Sequence, residues 1–223
     1  MKKKLFAEAI VKFLLGVVLV GVLIFLPAGT FRYFGGWLLM GILFVPMFCA
    51  GLVMLTKNPD LLKSRLKAKE TRTAQDLVVK LSGLMFLSGF IVAGLDFRFA
   101  WLPLHQWVNW TAAVIFLIAY LLYAEVLREN AYLSRTIEVQ EGQTVVSTGL
   151  YGIVRHPMYS TTLLLFLSMP FVLGSALSFL CFLCYPVLII KRLKNEEELL
   201  EEELDGYREY KEKVKYRLIP GIW

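Results

Sequence analysis

Thirty consecutive residues, Thr161 to Ile190, carry no charged side chain, and this run limits the possible fold more than any other feature. As one upright helix it would reach roughly 45 Å, beyond the roughly 30 Å hydrocarbon core of a bilayer. Pro170, Gly174 and Ser175 interrupt its middle, so a hairpin of two short helices uses the length. Four apolar stretches of spanning length precede it: Ala9 to Pro27 with Lys12, Trp37 to Leu55, Leu77 to Leu95 with Lys80, and Trp107 to Leu127. In lipid each has to be helical, because a helix satisfies its own backbone polar groups. The expected fold is an all-α integral membrane protein of about six transmembrane helices, the last two a short helical hairpin, with a cytoplasmic amphipathic C-terminal helix.

Charge orients these spans. The stretch from Thr56 to Asp76 holds Lys57, Lys63, Arg65, Lys67, Lys69 and Arg72, whereas the stretches 28–36 and 96–106 hold only Arg32 and Arg98. Positive charge prefers the cytoplasmic side, which puts the amino terminus, the Thr56 loop and Arg128 to Ser160 there. A hairpin also keeps the Arg155 loop on the same side as Lys191, Arg192 and Lys194; a single span would separate them. The net charge of +6 comes from residues beside apolar runs, so it points to membrane sidedness rather than to nucleic acid. The basic and apolar start of the chain reads as a retained signal anchor. Cys49, Cys181 and Cys184 all sit in apolar runs, where packing is a better reading than a disulfide or a metal site. The organisation expected is a four-helix region, 1–127, followed by a polar-loop, hairpin and C-terminal-helix half, 128–223, with no obligate protein partner.

Lys191 to Val214 reads as one amphipathic helix. At about 100° per residue, Leu193, Leu200, Leu204 and Tyr207 share a face, while Glu198, Glu201 and Glu202 point away from it. Arg192 and Glu196, four residues apart, border that face and can both turn toward whatever the helix packs on.

The other polar segment is GLYGIVRHPMY, Gly149 to Tyr159. Gly149 suits a turn, and Pro157 disfavours helix at His156 while suiting the first turn of the next helix. Free backbone N–H groups there, with Arg155, His156 and the faces of Tyr151 and Tyr159, could hold a polar ligand or a cation. The same residues could equally be interface anchors, and the residues alone leave both readings open. His105, at the opposite interface, has only the anchor reading. Two distant histidines without acidic partners make no metal site. Walker, GxGxxG and GxSxG motifs are absent from the sequence, which leaves nucleotide hydrolysis, a Rossmann site and α/β-hydrolase chemistry unsupported.

The ordered motifs G-x-Y-x-x-x-R-H-P-x-Y, R-x-x-x-E-E-x-x-x-L and Y-x-x-Y-x-x-x-V-x-x-R-x-x-P resemble the carboxyl-terminal half of the isoprenylcysteine carboxyl methyltransferase family and of related phospholipid methyltransferases, over roughly Glu125 to Pro220. The resemblance implies a cytoplasmic S-adenosylmethionine site between the RHP loop and the last helix, with a lipophilic or lipid-modified acceptor entering from the membrane. It assigns to the cofactor Gln140, then Gln143, Thr144, Val145 and Val146 in a strand-like segment, then Tyr151, His156, Pro157, Met158, Tyr159 and Glu196. Arg192 is implied as the acceptor-binding residue and, with Glu196, as catalytic. This chain has Thr161 where the family often has glycine, and Leu204–Asp205 where it often has Phe-Gly. Methyl transfer from a sulfonium is a direct displacement that mainly needs donor and acceptor in line. A carboxylate acceptor held by Arg192 is already ionised, whereas an amine would need a base such as His156 or a glutamate. Sterol-reductase-like proteins, which use a reduced nicotinamide cofactor, share a similar carboxyl-terminal half and form the competing enzymatic reading. A non-enzymatic membrane scaffold is the third.

Overall fold

A computed structural model describes residues 2–66, 73–133 and 139–223; Lys67, Lys69 and Arg72 of the basic loop lie outside the described residues. Four long apolar helices come first in the chain: α1 (Lys2–Ala28), α2 (Phe34–Lys57), α4 (Thr73–Phe99) and α5 (Gln106–Glu129). Between α2 and α4 lies α3 (Pro59–Leu66), a short helix within what the sequence suggests is only a basic loop. Asn58 caps it by accepting the Leu61 N–H at 3.2 Å, and Leu61 and Leu62 are buried beneath it. Three leucines within eight residues that also hold Asp60, Lys63 and Arg65 are too few to give a periodic signal.

The uncharged run folds as a hairpin. Its first arm, α6 (Pro157–Leu173), starts four residues before Thr161, and its second comprises α7 (Ala176–Phe182) and α8 (Tyr185–Glu203). Pro170 stays inside α6; the break falls at Gly174, whose φ of 76° and ψ of 27° end the helix in the left-handed region that glycine adopts at least cost. Ser175 then caps α7 by accepting the Ser178 N–H at 3.1 Å, and donates its hydroxyl to the buried Asp96 at 2.6 Å. The last carbonyls of α6 have no helical partner and little water to turn to. Asn109 of α5 donates to the Val172 carbonyl at 2.9 Å, and the Tyr33 hydroxyl donates to that of Leu173 at 2.6 Å. Gly35 is what allows α2 this close: a Cβ there would lie 2.6 Å from the Leu173 oxygen.

Five stretches are long and apolar enough to cross a membrane, 3–28, 34–57, 76–99, 106–129 and 176–203, while α6 has 17 residues. Large apolar side chains on the outer surface, such as Leu15, Val18 and Leu121, suit contact with lipid, and the protein is a multi-pass integral membrane protein.

The single amphipathic helix expected from Lys191 to Val214 is two helices. The apolar part of α8 ends at Ile190 and the helix continues without a break to Glu203; the chain then turns through Leu204–Asp205–Gly206, with Gly206 at φ 81°, into α9 (Tyr207–Lys213). Leu204, Tyr207, Tyr210 and Val214 form a small core of their own against Leu200, Val139 and Val145. The apolar spacing persists across the turn, which is why periodicity alone reads it as one helix.

Candidate functional site

The RHP loop is held at its start by side chains and at its end by backbone. Gly149, at φ 52°, sits against the Glu129 carboxyl group, where a Cβ would meet the carboxyl carbon at 2.6 Å, and Thr148 donates to the same carboxylate at 2.7 Å. A 3-10 turn, Gly149–Gly152, then presents Tyr151, whose hydroxyl accepts from Asn130 at 3.1 Å and whose carbonyl accepts from the Tyr210 hydroxyl at 2.7 Å. Further on, Arg155 and His156 donate their backbone N–H groups to the carbonyls of Tyr216 and Arg217 at 2.9 and 3.0 Å. Pro157 opens α6 as its first residue, a position that needs no N–H.

Beneath this loop lies Glu197, buried to 3% exposure. Its Oε1 accepts from Arg155 Nε at 2.7 Å and lies 3.3 Å from His156 Nε2; its Oε2 accepts from Arg217 Nε at 2.8 Å. Arg155 also donates to the carbonyls of Val214 and Lys215 at 2.8 and 2.9 Å. One carboxylate thus joins α8, the RHP loop and the carboxyl-terminal tail. Glu197 lies two turns beyond the last apolar residue of the membrane arm. The guanidinium groups of Arg155 and Arg217 supply the counter-charge that a buried carboxylate needs. The sequence reading passes it over, although the signal is present. Glu197 sits four residues after Leu193 and three before Leu200, so a carboxylate on the apolar face of the helix demands a buried partner.

Beside this hub opens a pocket lined by α6, α8, α9, the end of α5 and the segment 143–146. Gln143, Thr144, Val145, Val146, Tyr151, His156, Met158, Tyr159, Arg192 and Glu196 all contribute to its wall. Two of the residues singled out in the sequence do not. Gln140 donates its side-chain amide to the Tyr132 carbonyl at 2.6 Å, and its backbone N–H to Gln143 at 2.9 Å, so it shapes the turn that precedes the wall. Pro157 is fully buried as a helix start. The segment 143–146 forms no strand; it is irregular backbone packed on the α9 core. Arg155 reaches the wall, but its guanidinium is engaged by Glu197 and the tail.

One edge of the pocket centres on Tyr159. Its hydroxyl donates to Glu196 Oε2 and accepts from Arg192 Nε at 3.1 Å, and its ring lies nearly parallel to that of His156, with centroids 5.8 Å apart. Arg192 and Glu196, adjacent on the helix surface, therefore converge on one phenol, a carboxylate and a guanidinium side by side at the mouth of an aromatic-walled cavity. Tyr151 is pushed well above the ordinary phenol range, chiefly by burial, so it lines the wall as a neutral ring. Of the glutamates read as pointing away, Glu198 and Glu202 are exposed; Glu201 instead pairs with Lys211 and ties α8 to α9. Thr161 is buried and returns its hydroxyl to the Met158 carbonyl at 2.8 Å, so α6 accommodates it without a polar group left over. Among the described residues no group of three or more His, Cys, Asp or Glu side chains is placed to hold a metal.

Residues 108–202, from α5 to the end of α8, match the model of the isoprenylcysteine carboxyl methyltransferase family, and the resemblance read from the motifs is shown over this segment. α9 and the tail that clasps Arg155 fall outside the match. Two curated proteins are similar over comparable lengths. A Delta(14)-sterol reductase of Mus musculus is 31% identical over 91 residues, 40% of this chain and 22% of that protein. A Delta(14)-sterol reductase of Methylotuvimicrobium alcaliphilum is 26% identical over 93 residues, again 40% of this chain and 22% of that protein. The chain thus matches about a fifth of the length of these relatives.

Proposed function

We propose, from the match of residues 108–202 to the isoprenylcysteine carboxyl methyltransferase family, that this membrane protein transfers a methyl group from S-adenosylmethionine to a membrane-resident lipid or lipid-modified acceptor. The observation that carries the proposal is the convergence of Glu196 and Arg192 on the Tyr159 hydroxyl, at the edge of a pocket walled by Tyr151 and His156. The residues present fit the cofactor: aromatic faces suit a cation, and the Glu196 carboxylate suits hydroxyl or ammonium donors. When bound, the cofactor supplies an electrophilic methyl group on a sulfonium. The chain's own part is positioning. Arg192 holds an acceptor carboxylate through its planar fork, Tyr159 aligns Arg192 with Glu196, and burial of the tyrosines keeps water from the reacting line. A carboxylate acceptor, as in a prenylated cysteine, needs no base because it is ionised at neutral pH. A phospholipid amine would need to lose a proton, for which His156, held 3.3 Å from Glu197, or Glu196 is the candidate base. The active site and both termini are assigned to the cytoplasm on the charge distribution of the loops.

The two sterol reductase matches favour a second reading, a pocket for a reduced nicotinamide cofactor. Titrating purified protein in detergent with S-adenosylmethionine and with reduced nicotinamide dinucleotides separates the two. Binding of the first, with labelled methyl recovered in extracted lipid, supports methyl transfer; saturable binding of only the second sinks it.

A further inference from the structure

We propose that Tyr207 is a ligand-binding residue of this site and that its hydroxyl donates a hydrogen bond to the nucleoside part of the cofactor. The identity of that cofactor rests on the methyl-transfer reading above. The observation is separate: among the described residues, the Tyr207 hydroxyl is the one buried side-chain polar atom without a hydrogen-bond partner. The residue is 4% exposed and belongs to the pocket wall. The hydroxyls of its neighbours each have a partner. Tyr210, three residues on, donates to the Tyr151 carbonyl at 2.7 Å, Tyr151 accepts from Asn130, and Tyr159 is engaged by Glu196 and Arg192. A phenylalanine would fill the same space without burying an unpaired hydroxyl, so the oxygen calls for a use that the rest of the chain does not supply.

The surroundings select the partner's chemistry. Burial first, then the charges of Glu197 and Glu196, push the Tyr207 phenol far up, so it remains a neutral O–H donor. The same two carboxylates disfavour an anionic partner such as the amino-acid carboxylate of the cofactor, and favour a neutral acceptor. The ring packs with Leu204, Tyr210, Val145 and Leu200, an apolar setting that suits a purine better than a zwitterion. Ring nitrogens and ribose oxygens of adenosine are neutral acceptors of the required kind.

The test compares wild type, Tyr207→Phe and Tyr210→Phe by calorimetry and by thermal unfolding, with S-adenosylmethionine and with 5′-deoxy-5′-methylthioadenosine, which keeps the nucleoside and lacks the amino acid. Tyr207→Phe without ligand should unfold at the wild-type temperature or above it, since no bond is lost, whereas Tyr210→Phe should unfold lower. With ligand, Tyr207→Phe should lose about three- to tenfold in affinity for both compounds alike, the size of one neutral hydrogen bond. Unchanged affinity for both returns Tyr207 to packing alone, and a loss confined to S-adenosylmethionine assigns the hydroxyl to the amino-acid end; either overturns the proposal. Wild-type protein that binds neither compound overturns the methyl-transfer reading along with it, a failure visible before any variant is compared.

Discussion

At the scale of single residues the candidate site divides into groups that build it and groups that face the pocket. Glu197 builds it. Replacing it with glutamine leaves Arg155 and Arg217 without their counter-charge in a buried setting, and loss of one partner from such a cluster costs about 3–5 kcal/mol. Glu197→Gln should therefore unfold at a clearly lower temperature in detergent and yield little folded protein, as read by size-exclusion profile and melting curve. Wild-type stability in this variant would mean that the cluster is not formed. Arg192 and Glu196 should behave differently, because both are only half-buried. Glu196→Gln keeps the shape and removes the charge, so it should weaken S-adenosylmethionine binding by about tenfold, the worth of a charge-assisted hydrogen bond. Arg192→Lys keeps the charge and loses the fork, so it should leave cofactor affinity intact while depressing turnover of a carboxylate acceptor. The proper control is the exposed Glu198→Gln rather than Glu201→Gln, since Glu201 is paired with Lys211. Equal behaviour of all three variants in binding and turnover would dissociate this helix from the chemistry.

At the scale of elements, the hairpin depends on side chains that arrive from far away in the sequence. Asn109→Leu keeps the volume but strips the Val172 carbonyl of its donor within an apolar setting, and should lower stability by about 1–3 kcal/mol. A melting temperature unchanged in this variant would show that the carbonyl needs no cap. The long spans are legible in the sequence because membrane length and apolarity are one-dimensional properties, and the hairpin because Gly174 and Ser175 punctuate an uncharged run. The short α3 and the break at Gly206 are not. The first is too short for periodicity, and the second is hidden by leucines and tyrosines that keep helical spacing on both sides of it. The pairing of Arg155 and His156 with the tail is also invisible, because two of its bonds run from backbone to backbone and leave no signature in residue type. The pocket wall itself is largely legible from the motifs, and Glu197 betrays itself as a carboxylate on the apolar face of its helix, while its partners in the loop and tail, and the unpaired hydroxyl of Tyr207, emerge only when the elements are assembled in three dimensions.

At the scale of the whole molecule, polar groups gather at the end of the bundle where α5 ends, α6 begins and α8 leaves the apolar zone. Under the cytoplasmic orientation proposed for this end from the loop charges, Ser147→Cys and Tyr216→Cys, placed in a background free of Cys49, Cys181 and Cys184, should react alike with an impermeant thiol reagent in sealed vesicles. Both positions are exposed. Opposite accessibility would break the assignment, because Arg155 and the tail are joined by hydrogen bonds and cannot lie on opposite sides of a membrane. The unbroken course of α8 from Tyr185 to Glu203 also acts as a depth gauge. At 1.5 Å of rise per residue, Arg192 stands roughly 3 Å and Glu196 roughly 9 Å along the helix past Ile190, where the apolar stretch ends. Under the proposed function, the same helix that anchors the protein would set the height of Arg192 and Glu196 just beyond the apolar zone, where a lipid-borne acceptor could be met without being drawn out of the leaflet.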